Sequence, residues 1–145
     1  MLPRWHILYG AVFTVLIWLL APQIAWYNLI LMFLASFLID FDHYLSASFN
    51  SKKWSLKNAF RYYEIDRIKA NAEKEKGIRK KGTFHIFHTI EFYILVLIIG
   101  LFWAPLFYVF AGMVFHTLLD ILHLGTQDAM YRREFFFWKW IKGRL

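Results

Sequence analysis

Residues 105–124 read PLFYVFAGMVFHTLLDILHL, twenty positions without a lysine, arginine or glutamate and with one aspartate, Asp120. A stretch of that length and composition reads as a helix able to cross a hydrocarbon core about 30 Å thick, at about 1.5 Å per residue. Working outward, three further apolar runs have comparable length, over residues 5–21, 25–45 and 86–104. No small-residue cleavage site follows Leu20, so the first run reads as a retained span and not as a signal peptide. The chain has 145 residues and no cysteine, and 59% of its residues are hydrophobic. These features predict one all-α membrane domain over 1–145: a bundle of four transmembrane helices, a helical loop at 46–84 and an interfacial helical tail at 125–145. Disulfides and thiolate metal sites are excluded.

The formal charge of +7 is unevenly placed. Eleven cations lie between Lys52 and Lys81, and Arg132, Arg133, Lys139, Lys142 and Arg144 follow in the tail. The connections at 21–27 and 104–105 carry no charge. The positive-inside rule therefore places both termini and the long loop in the cytoplasm, in a prokaryotic plasma membrane. Basic segments beside spans meet anionic headgroups, and no nucleic-acid partner is expected. Within the loop, Ser55 can cap a helix that runs to Glu75 and stops at Gly77. That helix reads as a solvated element beside the membrane. Its sharper reading is a cover whose Arg61, Arg67, Arg79, Lys80 or Lys81 meets an anionic substrate. In the tail, Met130–Ile141 mixes Phe135, Phe136, Phe137, Trp138 and Trp140 with cations, a composition suited to the headgroup plane.

The chemistry is concentrated at three places. Span two ends in Ser36-Phe-Leu-Ile-Asp40-Phe-Asp42-His43, and span four ends in His116-Thr-Leu-Leu-Asp120-Ile-Leu-His123. In both, polar residues at i, i+4 and i+7 share one helical stripe, and the two lines resemble a weak internal repeat. Span three opens with His85-Ile-Phe-His88-Thr-Ile-Glu91. If the long loop is cytoplasmic, all three stripes converge at the same end of the bundle, where His6 also lies. A carboxylate in hydrocarbon costs several kcal/mol unless paired or coordinated. Asp40, Asp42, His43, His85, His88, His116, Asp120 and His123 are thus candidate metal ligands. Imidazole and carboxylate donors without sulfur suit zinc first, with manganese or iron as alternatives. Eight donors exceed one tetrahedral shell and suggest two or more ions. Asp40 and Asp120 are also candidate catalytic groups. Glu91 is a candidate base, or a residue that ligates directly or orients His88. Asp42 has a plainer reading as a solvated helix end. His6 reads as a hydrogen-bonding partner of a neighbouring helix, and Ser36, Thr89 and Thr117 as hydroxyls bonded to their own helices' carbonyls.

Asp40-Phe-Asp42-His43, the histidines before span three and His116-x-x-x-Asp120 together resemble the small inner-membrane metal-dependent hydrolases. Those are grouped with the zinc-dependent phospholipase C and P1 nuclease superfamily. The resemblance implies a helical fold with a multinuclear zinc site that hydrolyses phosphoesters. The chain departs from the family pattern at Ile39, where proline is usual, and at Thr83-Phe84-His85, where the pattern has a His-Arg-Gly element. His85 would then supply its ligand from a shifted position. The function expected is cleavage of a phosphoester in a lipid or other amphipathic substrate by metal-activated water, at the cytoplasmic face. Two alternatives compete. A di-iron lipid desaturase or hydroxylase would need more histidines, including adjacent pairs. A metal or proton transporter would need polar sites near the midplane.

Overall fold

The computed structural model describes residues 3–143, so the tail cation Arg144 lies outside the described residues. All regular structure among them is helical: α1 Pro3–Leu20, α2 Trp26–Leu38, α3 Phe41–Ser51, α4 Leu56–Glu75, α5 Ile90–Phe102, α6 Ala104–Thr126 and α7 Phe137–Lys142. Single 3₁₀ turns at Ile86–His88 and Met130–Arg132 precede α5 and α7. Three helices are long and apolar enough to cross a membrane: α1, α6, and α2 with α3 taken together as Trp26–Ser51. That is consistent with an integral membrane protein. The run expected to be the third span is shorter, because α5 has 13 residues and reaches only about 20 Å.

The expected second span divides at the residues that carry its chemistry. Ile39 and Asp40 form a turn in which the Asp40 amide bonds Phe37 at 3.3 Å and the Asp40 carbonyl accepts from His43 at 3.0 Å. These i→i+3 bonds interrupt the α-helical ladder between α2 and α3. The loop helix follows its capping residues closely. The Ser55 hydroxyl accepts from the Asn58 amide at 3.2 Å. At the far end Gly77 takes φ +73°, its amide bonds the Lys74 carbonyl, and Ile78 bonds the Glu73 carbonyl. That pair of bonds is a Schellman stop, which requires the left-handed residue that glycine supplies.

Close backbone approach holds the bundle together. A Cβ on Gly112 of α6 would collide with the Met32 carbonyl of α2, and one on Gly100 of α5 would lie 2.8 Å from the Phe107 amide. Only glycine lets α2 meet α6, and α5 meet the start of α6, at these distances. The apolar core between them is small, formed by Ala35, Ile39, Val96 and Met113. Conversely, Leu20 is 82% exposed and Phe102 88% exposed, as residues facing lipid would be.

The tail departs from the expected continuous helix over Met130–Ile141. After the 3₁₀ turn, residues 133–136 run extended as a strap across the mouth of the bundle, and only Phe137–Lys142 is helical. Backbone accounting explains the change. A helix leaves its first amides without intrahelical acceptors. The Ile90 amide of α5 donates to the Phe135 carbonyl at 2.9 Å. In return, the Glu91 carboxylate accepts from the Phe137 and Trp138 amides that open α7, at 3.0 and 3.4 Å. The Gly82 amide ties the strap from the other side by donating to the Arg132 carbonyl at 2.8 Å.

Candidate metal centre

Three elements bring four polar groups to one point. Asp40 comes from the α2–α3 turn, His88 from the 3₁₀ turn before α5, and His116 and Asp120 from successive turns of α6. One donor atom from each lies within 4.8 Å of the other three. His116 is fully buried, and His88 and Asp120 nearly so.

The orientation of both imidazoles is fixed from behind. His116 Nδ1 donates to the Ser36 carbonyl at 2.9 Å. His88 Nδ1 donates to Asp42 Oδ2 at 3.0 Å. A carbonyl and a carboxylate can only accept, so each ring carries its proton on Nδ1 in these bonds and turns Nε2 toward the centre. The two Nε2 atoms lie 3.2 Å apart. Asp40 Oδ1 stands 3.6 Å from His88 Nε2 and 3.4 Å from His116 Nε2. Asp120 Oδ2 is 3.4 Å from His116 Nε2. Tetrahedral ligands about 2.1 Å from an ion are separated by about 3.4 Å. The four spacings above lie close to that value, and this buried Asp/His group could hold a metal ion.

Asp42 supports this shell. Its Oδ2 also accepts from the Phe87 amide at 3.0 Å, while its Oδ1 lies 3.0 Å from His43 Nδ1. Three partners on one buried carboxylate fix the His88 ring, the arrangement by which metal sites commonly set a ligand's direction. Asp42, His43 and His88 also form a second group with metal-ligand spacing, sharing His88 with the first. His43 stacks on His85, with centroids 3.6 Å apart and planes 8° off parallel. Burial, then the neighbouring His43, push the His85 imidazole down to about 3, leaving it neutral. His85 Nδ1 is 3.8 Å from Asp42, outside both groups. Tyr63 of α4 closes this side, its hydroxyl donating to the His43 carbonyl at 3.0 Å. Burial raises the Tyr63 phenol above its ordinary range, so it acts as a neutral donor.

Of the eight candidate ligands, Asp40, His88, His116 and Asp120 form one group, Asp42 and His43 join His88 in the other, and His85 stacks beside them. His123 joins neither. It lies about 4.5 Å further along α6 than Asp120 and about 60° around it, where Gln127 contacts its Nε2 at 3.1 Å. Glu91 also stands outside both groups, its carboxylate engaged with the amides of α7. Ser36 and Thr89 bond the carbonyls of Phe33 and Ile86 at 2.6 and 2.8 Å. Thr117 instead meets the Tyr93 hydroxyl of α5.

Two side chains have larger parts than the sequence suggested. His6 is fully buried, stacks on His116 with centroids 4.0 Å apart, and sets Nε2 3.2 Å from Asp120 Oδ1. One signal was present: His6 and Gly10 lie on one stripe of α1, where a small residue permits close approach. Arg133, read as a headgroup cation, instead sends Nη1 to Asp120 Oδ2 at 3.1 Å. Nothing in a run of tail cations distinguishes it. The loop cations Arg79, Lys80 and Lys81 pair with Asp128, Glu73 and Glu134 at 3.3, 2.7 and 3.3 Å.

Two cavities adjoin the centre, and both are lined by His88. One, of about 190 Å³ and the more polar of the two with a mixed lining, is bounded by His43, Tyr63, His85, Asp120 and the strap. The other, of about 220 Å³, is apolar and runs between Tyr93, Ile94 and Leu97 of α5 and Phe110 of α6, with Phe135 at its end. No family model, curated protein or solved structure matches the chain.

Proposed function

We propose that the chain is a membrane-embedded metal-dependent hydrolase that cleaves a phosphoester of a lipid or other amphipathic substrate. The observation that carries this reading is the four-donor shell at the junction of a polar and an apolar cavity. A substrate with a phosphate head and a hydrocarbon tail has both its parts accommodated around His88. Asp40, His88, His116 and Asp120 would hold the ion, with zinc the first choice for two imidazoles and two carboxylates. Such an ion polarises a phosphoryl oxygen and makes water nucleophilic near neutral pH. Asp42 keeps His88 Nε2 directed inward, the Ser36 carbonyl does the same for His116, and His6 backs Asp120. His43 borders the polar cavity beside Asp42, placed to hand a proton to the leaving oxygen. A second ion would have to use Asp42 and His43, which already serve as supports, so one ion is the stoichiometry proposed. This geometry is the basis for reserving Glu91 to the strap.

In the bilayer, α5 acts as the short fourth member of the bundle, and Trp138 and Lys139 of α7 lie at headgroup depth. The cations of loop and tail support a site at the cytoplasmic face of a prokaryotic plasma membrane. The test is metal analysis of detergent-purified protein, followed by assay against phospholipids and polyprenyl phosphates. The expected result is about one equivalent of a divalent transition ion, with cleavage abolished by chelation and restored by zinc or manganese. Metal-loaded protein that cleaves no phosphoester but moves metal or protons across sealed vesicles would overturn the reading in favour of transport.

A further inference from the structure

We infer that Arg133 is the anion-binding residue of the polar cavity, and that it takes an oxygen of a phosphoryl or phosphonate group. The inference deepens the hydrolase reading and rests on it for the substrate's class, although the binding itself needs no turnover. The Arg133 side chain is only 10% exposed. Its Nη1 is committed to Asp120, but its Nη2 is buried without a hydrogen-bond partner. A buried guanidinium nitrogen left unpaired costs free energy that a charged acceptor would recover. Arg133 lines the cavity with His43, His85 and His88, and the three carboxylates that also line it are already engaged: Asp120 by Arg133 and His6, Asp66 by Arg132 and Glu134 by Lys81.

The other cations nearby are occupied. Arg132 Nη2 donates to Asp66 at 2.6 Å, and Lys81 lies 3.3 Å from Glu134. The Arg133 side chain is also held in place: its guanidinium carbon stands 5.5 Å from the Phe135 ring centroid, and its own carbonyl accepts from Lys81 at 3.1 Å. Asp120 Oδ2 lies between two claimants, Arg133 at 3.1 Å and His116 at 3.4 Å. Drawing that carboxylate into a metal shell would weaken its hold on Arg133 and leave the planar fork facing the cavity. A fork of this kind suits two oxygens of one phosphoryl group.

Phenylphosphonate is the probe, titrated calorimetrically into the full-length, metal-free protein at fixed ionic strength. Arg133→Gln should weaken its binding at least about tenfold, the equivalent of one charge-assisted hydrogen bond. Asp120→Asn, which loosens the competing pair, should strengthen binding, and adding Arg133→Gln should cancel that gain. Equal affinity in wild type and Arg133→Gln, or a gain in Asp120→Asn that survives the second substitution, would overturn the inference. If Arg133→Gln does not fold, Arg133→Lys decides. An ammonium cannot span two oxygens, so affinity should fall severalfold, and an unchanged value overturns the inference. A merely structural Arg133 would lower the unfolding temperature in these variants and leave phenylphosphonate affinity unchanged. The two readings also fail separately. Protein that binds phenylphosphonate through Arg133 but holds no metal keeps this site and loses the hydrolase. Protein that cleaves lipid phosphate yet binds the probe equally without Arg133 does the reverse.

Discussion

At one end of the bundle, Asp40, His88, His116 and Asp120 converge from three elements, and both imidazoles are aimed by a second partner. At the other end, Gly100 lets α5 turn onto Phe107, and Leu20 and Phe102 stand almost wholly exposed. The first end is held by directional polar contacts and the second by shape. Burial reverses the usual order of a soluble protein. His6, His116, Thr89, Ser36 and Ser48 are among the largest side chains hidden completely, alongside Met32. In lipid, apolar surface gains little by turning inward, so the interior is left to groups that need partners and to residues small enough to let helices touch. Mutations at the two ends should therefore fail in different ways.

The largest effect is expected at the centre itself. His116→Ala should remove stoichiometric metal, measured on protein recovered after gel filtration. It should also lower the unfolding temperature, because Asp40 and Asp120 are left without their shared partner. Full metal content in a folded His116→Ala protein would mean that the four-donor shell is not the binding site. Next comes Asp42→Asn, which keeps the shape but weakens the acceptor behind His88. Metal affinity should fall by about 10- to 100-fold. An effect as complete as that of His116→Ala would make Asp42 a ligand.

Gly100→Val tests the opposite end. Forcing a side chain against the Phe107 backbone should cost about 1–3 kcal/mol in reversible unfolding, with metal content unchanged in the folded fraction. Loss of metal from correctly folded Gly100→Val protein would show the ends to be coupled. Glu91→Gln should be milder. Protease cleavage within the strap at 133–136 should quicken while metal content holds, and loss of metal would return Glu91 to the centre. The smallest effect belongs to Glu73 and Lys80. The Lys80 ammonium holds the half-buried Glu73 carboxyl below its ordinary range. Its folded value is depressed, so the contribution is present above the usual glutamate range and lost as pH falls through the lowered value. Unfolding curves should show that small loss only in acid, and added salt should erase it.

Features governed by neighbours in sequence were legible before the structure. The cap at Ser55 and the stop at Gly77 depend on residues three or four positions away, and α4 follows both. The stripe of span four was also readable, because helical spacing alone puts Asp120 with His116, whereas the turn at Ile39 and Asp40 breaks the stripe of span two. Features governed by distant backbone groups were not. The strap has the composition of an amphipathic helix, yet the unsatisfied Ile90 amide at the start of α5, 45 residues earlier in the chain, draws Phe135 into extended backbone. Glu91 looked like chemistry because it follows His88, but the start of α7 claims it. The break at Asp40 was hidden for another reason: no proline or glycine marks it.

The provenance of the four candidate ligands sets an order on biogenesis. Translation supplies Asp40 early and His88 at mid-chain, whereas His116 and Asp120 emerge only as α6 is completed. A nascent chain halted after α5 offers Asp40, Asp42, His43, His85 and His88, but neither of the α6 donors needed to close the shell. Arg133 arrives last of all. The four-donor group is thereby closed only once α6 is made, and a chain halted after α5 would keep only the Asp42, His43 and His88 group.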